Sequence, residues 1–262
     1  MRDGDDPGVA QDRSGEQARV SPEELVAAAK EPVGRLGGAF MLDAECRQRG
    51  LDLGYSAWPY YYGGRGGVLG DVDPDVVAAA FVFFAPEVVR KAWERARAVA
   101  APQQTARQFL TGCHEWGRRK FAGVAGLEEF CLLAERVATQ VSPAGVPLFA
   151  AWRAEPLPDD PAARAAQLLH VLREHRGGLH GIAVLAAGLT PLEAVVAGPH
   201  GRDNARWFAW PEPYPEPEPL AQRRASAEQR TDDLVCPAYA ALDEEARQAF
   251  AGHLAALGAA AG

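Results

Sequence analysis

HGIAVLAAGLTPLEAVVAG, residues 180–198, reads as two short helices, 179–187 and 191–198, across a tight turn at Gly188-Leu189-Thr190-Pro191. Ala186 and Ala187 are small enough to let two helices approach closely. Gly188 can take the left-handed conformation that ends a helix, and Thr190 can cap the next one. This is the form of a helix-turn-helix, and an ordinary αα-hairpin has the same ingredients.

Upstream, Ala165, Leu168, Leu169, Leu172 and His175 recur at helical spacing, and Gly177-Gly178 is expected to stop that helix. A Pro/Asp linker at 156–161 separates it from an N-terminal helical region, residues 21–155. That region opens on Ser21-Pro22-Glu23-Glu24, a capping box, although Pro32 and Gly37-Gly38 should bend or split the helix. Residues 51–72, LDLGYSAWPYYYGGRGGVLGDV, read as an aromatic, Gly-rich loop. Asp73-Pro74 and Pro86 open further helices, followed by segments at about 103–121 and 126–141. Downstream, WPEPYPEPEPL at 210–220 has prolines at alternate positions, which forbids helix and favours an extended connector. Helical patterning returns at 226–235 and 243–257, within a C-terminal region spanning 162–258. Residues 1–20 are polar and aperiodic and read as a disordered arm.

The chain has 51 Ala against a single Ile, which tilts it towards an all-α multi-helix bundle. No apolar run reaches the roughly 18 residues a spanning helix needs, so no membrane partner is expected. A net charge of −8 repels phosphate backbones at long range and sets nucleic acid at a disadvantage. Cys46, Cys113, Cys131 and Cys236 are widely spaced, and no apolar leader precedes the first helix. Buried free thiols in a reducing cytoplasm are the expectation.

Several passages share a pattern: AKEPVGRLGGAF at 29–40, YYYGGRGGVLGDVDPDVVAAAFVFFAPEVVRKAW at 60–93, LLHVLREHRGGLHGIAVLAAGLTPLEAVV at 168–196, and EQRTDDLVCPAYAAL at 228–242. In this order they resemble an actinobacterial family of helix-turn-helix proteins, winged-helix-like and of the MarR type, whose members are largely uncharacterised. The resemblance covers roughly 29–258, and REHRG followed by His180 and the helix pair is its most specific part. It implies an all-α protein with a winged-helix-like C-terminal part and marks His175, Arg176 and His180 as family-like residues. Here the wing region, 199–225, is short and dominated by the proline connector, so that part is expected to be degenerate. The second helix, TPLEAVVAG at 190–198, has no Arg, Lys, Asn or Gln to read base edges. Arg202, Arg206, Arg223 and Arg224 are the nearest basic groups, and DNA binding is expected to be weak or lost.

Two clusters suggest chemistry. Tyr55, Trp58, Tyr61 and Tyr62, followed by Arg65, could wall an apolar pocket, with hydroxyls and a guanidinium orienting a ligand. The same rings could instead fill a gap between helical layers. His175, Arg176 and His180 could complete the pocket, or could tie helix ends together. Two arginines at one site favour a carboxylate, phenolate or enolate, and a buried Arg65 must find Glu174, a backbone carbonyl or a ligand. His170 and Glu174 lie four residues apart, but no H-E-x-x-H pattern exists, and no metal or cofactor is expected. In Cys113-His114 the two side chains diverge around a helix, so a thiolate–imidazole pair is not expected. The sequence thus favours a regulator-like or small-molecule-binding protein whose ligand is anionic or aromatic. The alternative is an enzyme acting on an aromatic or polyketide-like metabolite by acid/base catalysis.

Overall fold

The structure, a computed structural model, describes residues 20–262. The arm expected at 1–20 lies outside the described residues except for Val20, whose carbonyl accepts from Arg247 Nε at 2.7 Å. The first half consists of α1 (Pro22–Leu42), α2 (Ala44–Asp52), α3 (Ala57–Gly66), α4 (Pro74–Phe81), α5 (Pro86–Arg97), α6 (Pro102–Phe121) and α7 (Leu127–Thr139). The second half consists of α8 (Pro147–Ala154), α9 (Pro161–Ala186), α10 (Pro191–Val196), α11 (Gly201–Trp207), α12 (Ala221–Ala240) and α13 (Glu244–Ala261). Short 3-10 turns occupy Gly67–Leu69 and Glu218–Leu220, and there is no strand among the described residues. The fold is an all-α multi-helix bundle, and no hairpin follows the helix pair.

Proline explains much of the segmentation. Pro22, Pro74, Pro86, Pro102, Pro147, Pro161 and Pro191 each stand at the start of a helix, where the missing N–H has no partner to lose. Ser21 and Glu24 form the expected capping box, and Thr190 with Glu193 forms a second.

The bundle is organised around α9, which packs against α1, α6, α7, α8 and α12. Its Leu168, Leu169, Val171 and Leu172 are buried, as are Ala162, Ala163, Ala165 and Ala166. Such all-round burial identifies a central helix rather than a surface one.

Three expectations are corrected, all for the same reason. The helix does not stop at Gly177-Gly178, because Gly178 serves packing. A Cβ there would lie 2.6 Å from Val146 Cγ1. Helix α1 is not split at Pro32 or Gly37-Gly38, since Gly37 sits where α9 crosses and a Cβ would come within 2.3 Å of the Leu169 carbonyl oxygen. Most of the segment read as a loop at 51–72 is helical, in α2, α3 and the 3-10 turn. Its glycines let α3 lie directly on α5 and α6. Tertiary burial outweighs the local cost of glycine in all three.

The helix pair is the C-terminal end of α9 followed by α10, joined at Gly188 (φ 71°). The first member is thus no separate short helix. Helix α11 occupies part of 199–225, the region where a degenerate wing was expected, and lies before the proline connector at 210–220. The proline segment after it is anchored to the body. Tyr214 is buried against Val195, Val196 and Ala205, and its hydroxyl donates to the Trp210 carbonyl at 3.1 Å.

Candidate functional site

A chamber of about 330 Å³ opens between α1, α3, the start of α8, the middle of α9 and α11. Its apolar wall includes Tyr61 of α3, Phe81, Phe83 and Phe84 at the α4–α5 junction, Phe149 of α8, and Trp207 with Phe208. Its polar wall comprises Lys30 of α1, Arg65 of α3, and Arg173, Glu174 and Arg176 of α9. The size falls within the range of ligand pockets, and the mixture of rings with a few convergent charges is typical of them.

Arg65 and Glu174 form the deepest contact. Arg65 Nε and Nη2 donate to the two carboxylate oxygens at 2.8 Å each, and the guanidinium lies 4.5 Å from the Phe81 ring centroid. Arg173 Nη1 donates to the same Glu174 Oε1 at 2.8 Å. Burial opposes ionisation of Glu174, but the two guanidiniums overcome it and hold the carboxyl below its ordinary range. Burial opposes the Arg65 charge too, and Glu174 outweighs it. Arg65 has therefore found an internal carboxylate, the structural one of its expected partners.

Nearer the chamber mouth a second network ties α12 to α1 and α9. Lys30 Nζ lies 2.7 Å from Glu228 and 3.2 Å from Asp232. Arg176 Nη2 reaches the same two carboxylates at 3.1 Å each, and Arg224 also holds Glu228. Arg176 Nε is buried without a hydrogen-bond partner.

Of the residues expected at the site, Tyr61, Arg65 and Arg176 meet in the chamber wall. Tyr55 lies elsewhere, its hydroxyl 2.8 Å from Thr105 Oγ1. Trp58 and Tyr62 face an outer depression shared with Val88 and Trp207. His175 packs against Phe149, ring centroids 4.6 Å apart and planes tilted by 49°, and is not part of the chamber lining. Burial and then Arg153 push its pKa down to about 4. His180 also stands outside the lining. Thr231 donates its hydroxyl to the Ala227 carbonyl and so accepts from His180 Nδ1 at 2.8 Å. This interaction ties α9 to the middle of α12. His170 is fully buried between Phe40 and Trp152, neither ring nitrogen has a partner, and burial pushes its pKa to about 4.

Sequence reasoning missed Lys30, Arg173, Phe149 and Trp207. Arg173 stands inside the quoted REHRG, and Lys30 is one of only three lysines in the chain. The four cysteines are free thiols, and burial raises Cys46 to about 12, which leaves it inert. No group of His, Cys, Asp and Glu among the described residues could hold a metal ion. No helix of the described chain is long and apolar enough to cross a membrane.

The wall at Val82 is strained. Val82 has φ 47° and ψ −65°, and the Phe83 N–H donates to the Phe81 carbonyl at 2.5 Å. This approximates the rare γ-turn with positive φ, which a β-branched residue adopts only under compulsion. The turn is fastened to the C-terminal part. Trp210 Nε1 donates to the Phe83 carbonyl at 2.8 Å, and the Ala85 N–H donates to the Phe208 carbonyl at 2.9 Å.

A family model described as a helix-turn-helix family matches residues 26–213. No curated protein and no solved structure matches the chain.

Proposed function

Since the chain belongs to the helix-turn-helix family, we propose that it is a regulator-like protein whose central chamber binds a small anionic or aromatic molecule and passes its occupancy to the helix pair. The observation that supports this is the shared wall. Phe83, Phe84, Trp207 and Phe208 line the chamber; Phe83 and Phe208 also pack on Val195, Val196, Ala205 and Tyr214, and Phe84 packs on the Trp207 and Phe208 rings. A ligand pressing on the Val82 turn pushes against a conformation held by two hydrogen bonds from or to that part. A strained element with two rigid anchors is suited to such a relay.

DNA reading by α10 is weak or lost. Ala194, Val195 and Val196 are buried, and Glu193 is engaged in the Thr190 capping box. The nearby arginines have internal partners: Arg202 with Glu216, Arg206 with Asp203, Arg223 with the Gly188 carbonyl and Arg224 with Glu228. The free thiols suit a cytoplasmic location.

Hydrogen exchange with 2-naphthoate as probe tests the relay. Binding should change exchange in α10, residues 191–196, as well as in 80–85, and Val82→Gly should retain the probe while abolishing the change in α10. A probe that binds with no effect beyond the chamber wall refutes the relay. Nanomolar, sequence-dependent retention in a gel-shift series refutes the statement about DNA.

A further inference from the structure

The chamber has two unlike faces, and its charges do not balance. Arg65 and Arg173 pair with Glu174, and Lys30, Arg176 and Arg224 with Glu228 and Asp232, so in the two networks together five cations share three carboxylates. His180, 3.7 Å from Glu228, does not redress this, because an added proton would only enlarge the positive surplus. Lys30, Arg173 and Arg176 stand on the chamber wall at side-chain exposures of 36%, 28% and 18%, whereas Arg65 is 10% exposed and gripped at both ends by Glu174.

Arg176 adds an independent sign. Its Nη2 satisfies Glu228 and Asp232, yet its Nε is buried with no acceptor. A buried guanidinium N–H without an acceptor is costly, and the ordinary remedy is an anion or a polar oxygen in the adjoining space. Arg173 gives one nitrogen to a carboxylate that Arg65 already holds bidentately. Opposite these groups stand Phe81, Phe83, Phe84 and Phe149, which offer ring faces and edges and no acceptor side chain.

We propose that the chamber is specific for a planar aromatic carboxylate, with the ring among the phenylalanines and the carboxylate on Arg176, Arg173 and Lys30, and that Arg65 only shapes the wall. This rests on the reading of the chamber as a ligand site. The class follows from the geometry: planar oxygens match a guanidinium fork, and one carboxylate reduces the surplus positive charge. A neutral aromatic leaves the surplus positive charge uncompensated, and a cationic one meets four positive side chains.

The test compares 2-naphthoate with 2-naphthamide, a neutral molecule of nearly the same shape, by calorimetric titration of the full chain. The naphthoate should bind at least about tenfold more tightly, the scale of one charge-assisted hydrogen bond. Arg176→Gln should remove most of that preference. Lys30→Gln, which leaves Glu228 and Asp232 with arginine partners, should reduce it and provides the decisive result should Arg176→Gln fail to fold. Equal affinity of the wild-type protein for the two probes, or a preference that survives the substitutions, overturns the anion pole and leaves the chamber reading standing. Failure of both probes to bind overturns the chamber reading and this inference with it.

Discussion

Replacing Arg65 by Met should be among the most damaging substitutions in the chain, and replacing Glu174 as well should undo much of the damage. The wild-type pair is buried and joined by two charge-assisted hydrogen bonds at 2.8 Å each. Removing the guanidinium leaves Glu174 with Arg173 alone, and breaking a buried pair from one side costs about 3–5 kcal/mol. At about 2–4 °C per kcal/mol for a chain of this size, the melting temperature should fall by roughly 6–20 °C. A buried ion pair exchanged for apolar side chains of similar volume is close to neutral. The double variant Arg65→Met/Glu174→Leu should therefore recover at least about 2 kcal/mol relative to the single change. Urea unfolding followed by circular dichroism at 222 nm, on all four members of the cycle, measures both quantities. A cost below about 1 kcal/mol for Arg65→Met, or a double variant no better than the single one, refutes the account of Arg65 as a wall-forming residue held by Glu174.

Two further outcomes follow from the same geometry. Gly177→Ala should stabilise by about 0.5–1 kcal/mol, because α9 is continuous there and a Cβ meets nothing within 4 Å. Gly178→Ala, one residue on, should destabilise by about 1–3 kcal/mol because its Cβ would lie 2.6 Å from Val146 Cγ1; equal effects in thermal melts would restore a helix stop at this pair. For pH, His170, His175 and His180 are each pushed down to about 4 by burial, below the unfolded value of about 6.5. Between those values the unfolded chain binds more protons, so stability is full above about 6.5 and falls as pH drops towards 4. His175→Phe should flatten that decline by up to about 1.4 kcal/mol per pH unit, and an unchanged slope in chemical denaturation would sink the assignment.

Helix starts were legible because their signals are local. Ser21 with Glu24, Thr190 as a cap, and the prolines opening α4 and α5 act on neighbours two to four residues away. The errors concentrate at glycine, which carries opposite meanings. At Gly188 it takes the left-handed conformation and ends a helix, while at Gly37 and Gly178 it admits another element and prolongs one. Only the partner distinguishes the cases, and the partner is remote: Leu169 for Gly37, Val146 for Gly178. The chamber was half legible for a related reason. Arg65 stood out beside its tyrosines, and Glu174 was among its expected partners. Which face of α9 carries Arg173 and Arg176 becomes plain only once the helix is known to run through Gly177-Gly178.

Continuity of α9 also changes the meaning of its apolar successor. In a free recognition helix, the Ala194-Val195-Val196 run would be an unexplained loss of base-reading side chains. Here Ala194 packs with Val184, Leu189, Leu220 and Ala227, while Val195 and Val196 pack with Ala205 and Tyr214. Phe83, which lines the chamber, lies against both groups. Polar residues at these positions would be buried without partners, at a cost of about 1–3 kcal/mol each. The composition of α10 is thus accounted for by its service as cover for the chamber's outer wall. The same packing ties any movement of the Val82 turn to the helix pair, because Phe83 cannot shift without disturbing the contacts on which α10 rests.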